Sequence, residues 1–293
     1  MGLRQALESG QFVITTEVGP PHGVDTTAFM KHALALKGKV DAINVTENQR
    51  AMAHLGSLAC CKLLVDNGID AVMHLNCRDA NRLGLQAHVM AAYALGIRNV
   101  LVIGGDKAAS GNQPDTKEVY DLNPGEALAM CQMLRDGTDM AGEPLDGACT
   151  ELMIGAAANL TAPDPDLEYA KTESKVQGGA TFFQTQGIYD IPRTREFVER
   201  IRPLGVPVLA GIIPMRNEKM AEMLKFKVPG MWIPDDVYER HIKSDDMFET
   251  AVQFSAEIIA GLRGIVDGVH IMTIGSRKMT EALIERVYAM GLR

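Results

Sequence analysis

The stretch LGIRNVLVIGGD, residues 95–106, reads as one complete join between a helix and a strand. Gly96 sits where a helix C-cap glycine belongs. Asn99 to Ile103 then form a run with apolar residues on both faces, as parallel strands covered by helices do. The same ending recurs as NGIDAV around Gly68 and LGVPV around Gly205. One helix–glycine–strand unit is therefore repeated along the chain.

Working outward, eight short apolar runs rich in Val, Ile, Thr and Phe are found. They are FVITTEV (12–18), AINVTE (42–47), AVMHLN (71–76), NVLVIGG (99–105), ELMIGAAAN (151–159), TFFQTQ (181–186), PVLAGIIP (207–214) and GVHIMTIG (268–275). Stretches of helical period lie between them, and Gly38 and Gly137 close two more. Eight such units predict an α/β fold, a (β/α)8 TIM barrel, whose typical length of roughly 250 residues leaves room in 293 for added loops. A doubly wound open sheet fits less well, because no G-x-G-x-x-G follows the first strand. No Pro/Ser-rich linker is seen, so residues 1–293 are expected to form one barrel domain.

The net charge of -8 and the lack of a Lys/Arg run argue against a nucleic-acid partner. No apolar run reaches the roughly 18 residues that span a bilayer. MGLRQALESG lacks the apolar core of a signal peptide, so a cytoplasmic protein is expected. Five cysteines without a C-x-x-C suggest neither a disulfide framework nor an iron–sulfur or zinc site, and no metal is expected.

Barrel enzymes place their chemistry at the carboxyl ends of the strands. Those ends read Glu17, Thr46, His74 with Asn76, Gly105-Asp106, Asn159, then Gln184 and Gln186. The strand bodies are apolar, so this polar set suggests a functional mouth. Glu17, in TTEVGPP (15–21), would be a general acid if burial raises its pKa, or else a strand-end residue paired with a lysine. In Gly104-Gly105-Asp106 the glycines let backbone approach a bound ring and hold a carboxylate beside it; a simple turn aspartate is the plainer reading. His74 fits a satisfied core histidine. Gln184 and Gln186 fall on one face by strand period. Residues 106–123 form a polar loop long enough to be a lid or clamp, and residues 227–243 an additional segment.

Taken in order, T-T-E-V-G-P-P (15–21), I-N-V-T (43–46), H-L-N-C-R-D-A-N (74–81), L-G-I-R-N-V-L-V-I-G-G-D (95–106), K-V-Q-G-G-A-T-F-F-Q-T-Q-G-I-Y-D (175–190) and A-G-I-I-P (210–214) resemble the methylenetetrahydrofolate reductase family. The resemblance implies a flavin-bearing barrel, with FAD or FMN, that interconverts 5,10-methylenetetrahydrofolate and 5-methyltetrahydrofolate. It implies that Glu17 is the acid that opens the folate ring. Asp106 becomes the carboxylate near flavin and folate, and Gln186 the glutamine on the pterin. Thr46, His74, Gly105, Asn159, Glu168 and Lys175 become flavin-site residues.

One departure is local. The family often carries Y-P-E-x-H-P after strand five, where this chain has A-A-N-L-T-A-P (157–163). That stretch resembles the short reductases of anaerobic bacteria, which work with an iron–sulfur partner subunit. The electron donor is thus expected to be such a subunit, or else NAD(P)H, and an oligomeric assembly is expected. The competing activities are a flavin-free folate barrel passing methyl groups to a corrinoid, and a scaffold that has lost its flavin.

Overall fold

The computed structural model describes residues 2–228 and 230–293. Its elements follow the chain as α1 (Leu3–Glu8), β1 (Val13–Glu17), α2 (Thr27–Leu36), β2 (Ala42–Val45), α3 (Ser57–Asp66), β3 (Ala71–Asn76), α4 (Arg82–Ala94), β4 (Asn99–Ile103), α5 (Pro124–Asp136), β5 (Met153–Ala158), α6 (Pro165–Gln177), β6 (Phe182–Gly187), α7 (Ile191–Ile201), β7 (Val208–Ile212), α8 (Glu218–Phe226), α9 (Asp235–Ile242), α10 (Met247–Leu262), β8 (Gly268–Ile271) and α11 (Arg277–Ala289). The strands close in the order β1 to β8 as a parallel barrel, the architecture the repeated unit predicts. Helix α1 has no counterpart in the sequence reading, because six residues are too few to show a helical period.

The five helix-ending glycines all take positive φ, Gly96 at +92° among them. A side chain would be strained there, so each glycine ends its helix and redirects the chain.

The chain divides into two compact units. One comprises Met1–Arg4, Val18–Ala157 and Ser174–Phe182; the other comprises Gln5–Glu17, Ala158–Glu173 and Phe183–Arg293. In the first, β2, β3, β4 and β5 pair in register, with His74 opposite Leu101 and Asn76 opposite Ile103. Every residue of β2 and β3 is buried, as strands with both faces covered require. In the second, β8 lies between β7 and β1. The buried threonines of β1 are satisfied locally. Thr15 Oγ1 lies 2.9 Å from His270 Nδ1, and Thr16 donates to the Ile271 carbonyl at 2.9 Å.

Strand β6 is irregular. Its pairing with β7 slips between Gln184 and Gly187, where β6 carries one residue more than β7. Within this irregular stretch Gln184 is buried and Gln186 is exposed. Thr185 stabilises the bulge: it donates its hydroxyl to the Gln186 carbonyl at 2.8 Å and accepts the Gly211 N–H at 2.9 Å.

Candidate active site

On the first unit, the ends of β2, β3 and β4 meet around one arginine. Arg78 follows β3 and is buried. Its guanidinium spans both carboxylate oxygens of Asp79, at 2.6 and 2.7 Å. It also donates to the carbonyl of Asp106 at 2.7 Å and to that of Asn48 at 3.3 Å. The Asn76 amide accepts the Arg78 N–H at 2.9 Å and donates to Asp79 at 3.1 Å. A planar fork with five donors is suited to such a junction; a lysine is not.

Asp106 is exposed and directly follows Gly105. Gly105 has φ +88°, and a Cβ there would overlap the Asn76 amide, so both conformation and space demand glycine. One Asp106 oxygen accepts the Arg50 N–H at 2.8 Å. The other accepts nothing among the described residues. Arg50 lies in a turn where three non-glycine residues have left-handed backbone: Asn48 (φ 42°), Arg50 (59°) and Ala51 (53°). Such strain persists only where surroundings enforce it. Here Asp106, Asp79 (which accepts from Asn48 Nδ2 at 3.0 Å) and Arg78 do so.

Thr46 is 4% exposed, and its hydroxyl has no hydrogen-bond partner among the described residues. His74 is buried, with Nε2 3.1 Å from the Asn44 amide nitrogen. Burial drives its pKa down to about 4, so the ring is neutral at pH 7 and Nε2 accepts. Lys175 donates to the Ala157 carbonyl at 2.6 Å, tying α6 to β5.

The long loop at residues 106–123 is pinned along its length. Glu118 accepts the Ala108 N–H at 2.6 Å, and the Val119 N–H donates to Arg78 at 2.8 Å. Asp121 is bridged by both Nε and Nη2 of Arg82, at 2.9 and 3.0 Å.

On the second unit, Glu17 is the last residue of β1 and is half-buried. The exposed Gln186 lies within the bulge of β6. Asn159 is already engaged: its Nδ2 donates to the Gly230 carbonyl at 2.9 Å and its Oδ1 accepts from Thr161. Glu168 is buried and caps the same turn, accepting the Asn159 N–H at 2.9 Å. Both residues therefore shape the loop after β5.

All five cysteines are free and buried. Burial pushes the Cys60 and Cys77 thiols up to about 11, so neither supplies a thiolate at neutral pH. Among the described residues, no group of three or more His, Cys, Asp or Glu side chains is placed to hold a metal ion, and no helix is long and apolar enough to cross a membrane.

Sequence reading missed the roles of Arg78, Asn48 and Arg50. The available signal was the Arg78-Asp79 pair directly after a largely apolar strand, where a buried charge requires a partner.

Three kinds of comparison bear on identity. Among curated relatives, a probable methylenetetrahydrofolate reductase (NADPH) of Caenorhabditis elegans is 26% identical over 185 residues, which are 61% of this chain and 26% of that protein. A 5,10-methylenetetrahydrofolate reductase of Pectobacterium carotovorum subsp. carotovorum is 22% identical over 236 residues, 77% of this chain and 71% of that protein. The chain spans 26% and 36% of the length of its nematode and fission-yeast relatives. Among solved structures, tryptophan synthase from M. tuberculosis superposes with a TM-score of 0.58 over 97% of this chain and 98% of that one, at 14% identity, which shows a common fold alone. The family model for methylenetetrahydrofolate reductase matches residues 2–288. With that match running through the eight-stranded barrel, the chain belongs to the methylenetetrahydrofolate reductase family.

Proposed function

We propose that the chain reduces 5,10-methylenetetrahydrofolate to 5-methyltetrahydrofolate, or runs the reverse oxidation, with a bound flavin. The observation that carries this is the fixed carboxylate of Asp106. The Arg50 N–H holds one of its oxygens and the other is open, while a Gly-Gly turn and the Arg78 guanidinium, bound to the Asp106 backbone carbonyl, fix the residue at the end of β4.

The open polar atoms suit a flavin. The pyrimidine edge of the ring offers an N–H donor between two carbonyl acceptors. The first unit presents an open carboxylate oxygen on Asp106 and, on the largely buried Thr46, a hydroxyl without a hydrogen-bond partner among the described residues. Thr46, Gly105 and Asp106 would hold the ring. By the resemblance, His74, Lys175, Asn159 and Glu168 would be further flavin-site residues. When bound, the flavin supplies the hydride.

The chain's own residues do the rest. Glu17 gives a proton to the folate N10, which breaks the C–N10 bond and leaves a cationic iminium at N5. Asp106 stabilises that cation, and a pre-positioned carboxylate does so without reorganising during the reaction. Gln186 can donate to and accept from the pterin. The electron donor is read as a partner subunit, because AANLTAP (157–163) carries no aromatic or histidine.

The test is the purified full chain. It should be yellow, or become so with added FAD or FMN, and should interconvert the two folates with an artificial electron donor. A Glu17→Gln variant should keep the flavin and lose folate turnover. A chain that stays colourless with either flavin overturns the reading. Fast bleaching by NADH alone overturns the partner as electron source.

A further inference from the structure

Barrel chemistry sits at the carboxyl ends of the strands, so a cavity at the opposite face serves another purpose. The second unit has one. A cavity of about 430 Å³ lies at the amino-terminal ends of β7 and β8. That volume falls within the roughly 300–1,000 Å³ of small-molecule sites. Its wall is aliphatic: Leu7 of α1, Val198 and Ile201 of α7, and Val206, Ile265 and Val266 from the joins into β7 and β8. Gly205 and Gly264 stand in the same joins, and a Cβ at either would meet nothing, so both border open space.

Two charged side chains line the same cavity, Arg202 and Asp267. Each is held by one hydrogen bond. Arg202 Nη2 donates to the Ile265 carbonyl at 3.3 Å, which carries the guanidinium from the turn after α7 toward the join before β8. One Asp267 oxygen accepts the Val208 N–H at 2.8 Å. Beyond these contacts neither side chain has a partner among the described residues, and the two form no ion pair with each other. Opposite charges that share a cavity without pairing suit a ligand that carries both. A guanidinium fork takes a carboxylate, a carboxylate oxygen takes an ammonium, and an aliphatic wall takes an apolar side chain.

We propose that this cavity binds a zwitterionic α-amino acid with an apolar side chain. Arg202 takes the α-carboxylate, Asp267 the α-ammonium, and the aliphatic wall the side chain. The site lies at the amino-terminal face and does not depend on the flavin reading. Its occupant ties the turn after α7 to the join before β8, and so stabilises the second unit on binding.

The full chain is titrated with L-leucine and L-methionine by isothermal titration calorimetry. A Kd on the order of 0.1 mM is expected for a ligand of this size. Three analogues each lack one part: glycine the apolar side chain, L-leucinamide the carboxylate, and N-acetyl-L-leucine the ammonium. Each should bind at least about tenfold more weakly, the weight of one charge-assisted hydrogen bond or one buried aliphatic side chain. Asp267→Asn keeps an acceptor for the Val208 N–H. It should lose about tenfold for L-leucine and leave N-acetyl-L-leucine within about twofold, because that analogue has no ammonium to lose. Arg202→Gln should likewise lose about tenfold for L-leucine and leave L-leucinamide within about twofold. Far-UV circular dichroism checks each variant; where one does not fold, the analogue series on the wild type decides. Absence of binding by both amino acids overturns the proposal. So does equal affinity for L-leucine and its two blocked analogues, and so do folded variants that bind L-leucine as the wild type does.

Discussion

The Asp106 carboxylate accepts the Arg50 N–H at 2.8 Å, while Arg50 holds a left-handed backbone at φ 59°. The two features depend on each other. The turn at residues 48–51 aims an amide at the carboxylate, and the carboxylate compensates part of the strain. Asp106→Asn keeps an acceptor for that amide but removes the charge. Folate turnover should fall on the order of 10²-fold, as when one electrostatic group of an active site is lost. Stability should stay within roughly 0.5 kcal/mol of wild type, whereas Asp106→Ala should cost about 1–2 kcal/mol because the amide loses its partner. Steady-state kinetics and urea unfolding separate the two effects.

Arg78 gives the sharper stability test. It is 3% exposed and joins the ends of three strands. Arg78→Ala removes the partner of Asp79 and leaves the Asp106 and Asn48 carbonyls without their donor. A loss of roughly 3 kcal/mol is expected, in the range for breaking a buried ion pair. Arg78→Lys keeps the charge but not the fork, so most of that loss should persist. If lysine restores wild-type stability in urea unfolding, the geometry of the fork is unimportant.

Gly211 is the third test. A Cβ at this position would overlap the Thr185 and Gln186 carbonyls, so the bulge in β6 depends on a glycine in β7. Gly211→Ala should cost about 1–3 kcal/mol, as overpacking does. It should also raise the KM for folate more than it lowers kcat, because Gln186 is re-aimed. An unchanged KM would remove Gln186 from the pterin.

That bulge marks where legibility ended. The barrel could be read because its signal is local: each of the eight apolar runs, and each of the five glycines at helix ends, carries its own information. Strand-end polar residues were equally visible, since Thr46, His74 and Asp106 stand out against apolar runs. Register was not. The bulge that carries Gln186 is held by Gly211 and Thr185, which meet only in the folded sheet. The same holds for Asn159. Its amide donates to Gly230, a partner 71 residues away that no local pattern reveals. Arg78 was hidden because its five-donor fork has meaning only once three strand ends converge.

His74 makes stability depend on pH. Burial lowers its pKa from 6.5 to about 4. Between those values the unfolded chain binds a proton that the native chain excludes, so stability is full above about pH 6.5 and falls as the medium is acidified. The slope is about 1.4 kcal/mol per pH unit, for a total of roughly 3 kcal/mol by pH 4. His241 on α9 is also shifted down, chiefly by burial, and adds in the same direction. His74→Gln keeps an acceptor for the Asn44 amide and cannot titrate. Urea unfolding between pH 7.5 and pH 5 should show a shallower decline for this variant, by about one proton at the lower end. Parallel curves for variant and wild type would mean that His74 is protonated with the same ease in both states, and so is not the neutral acceptor its contact with Asn44 implies.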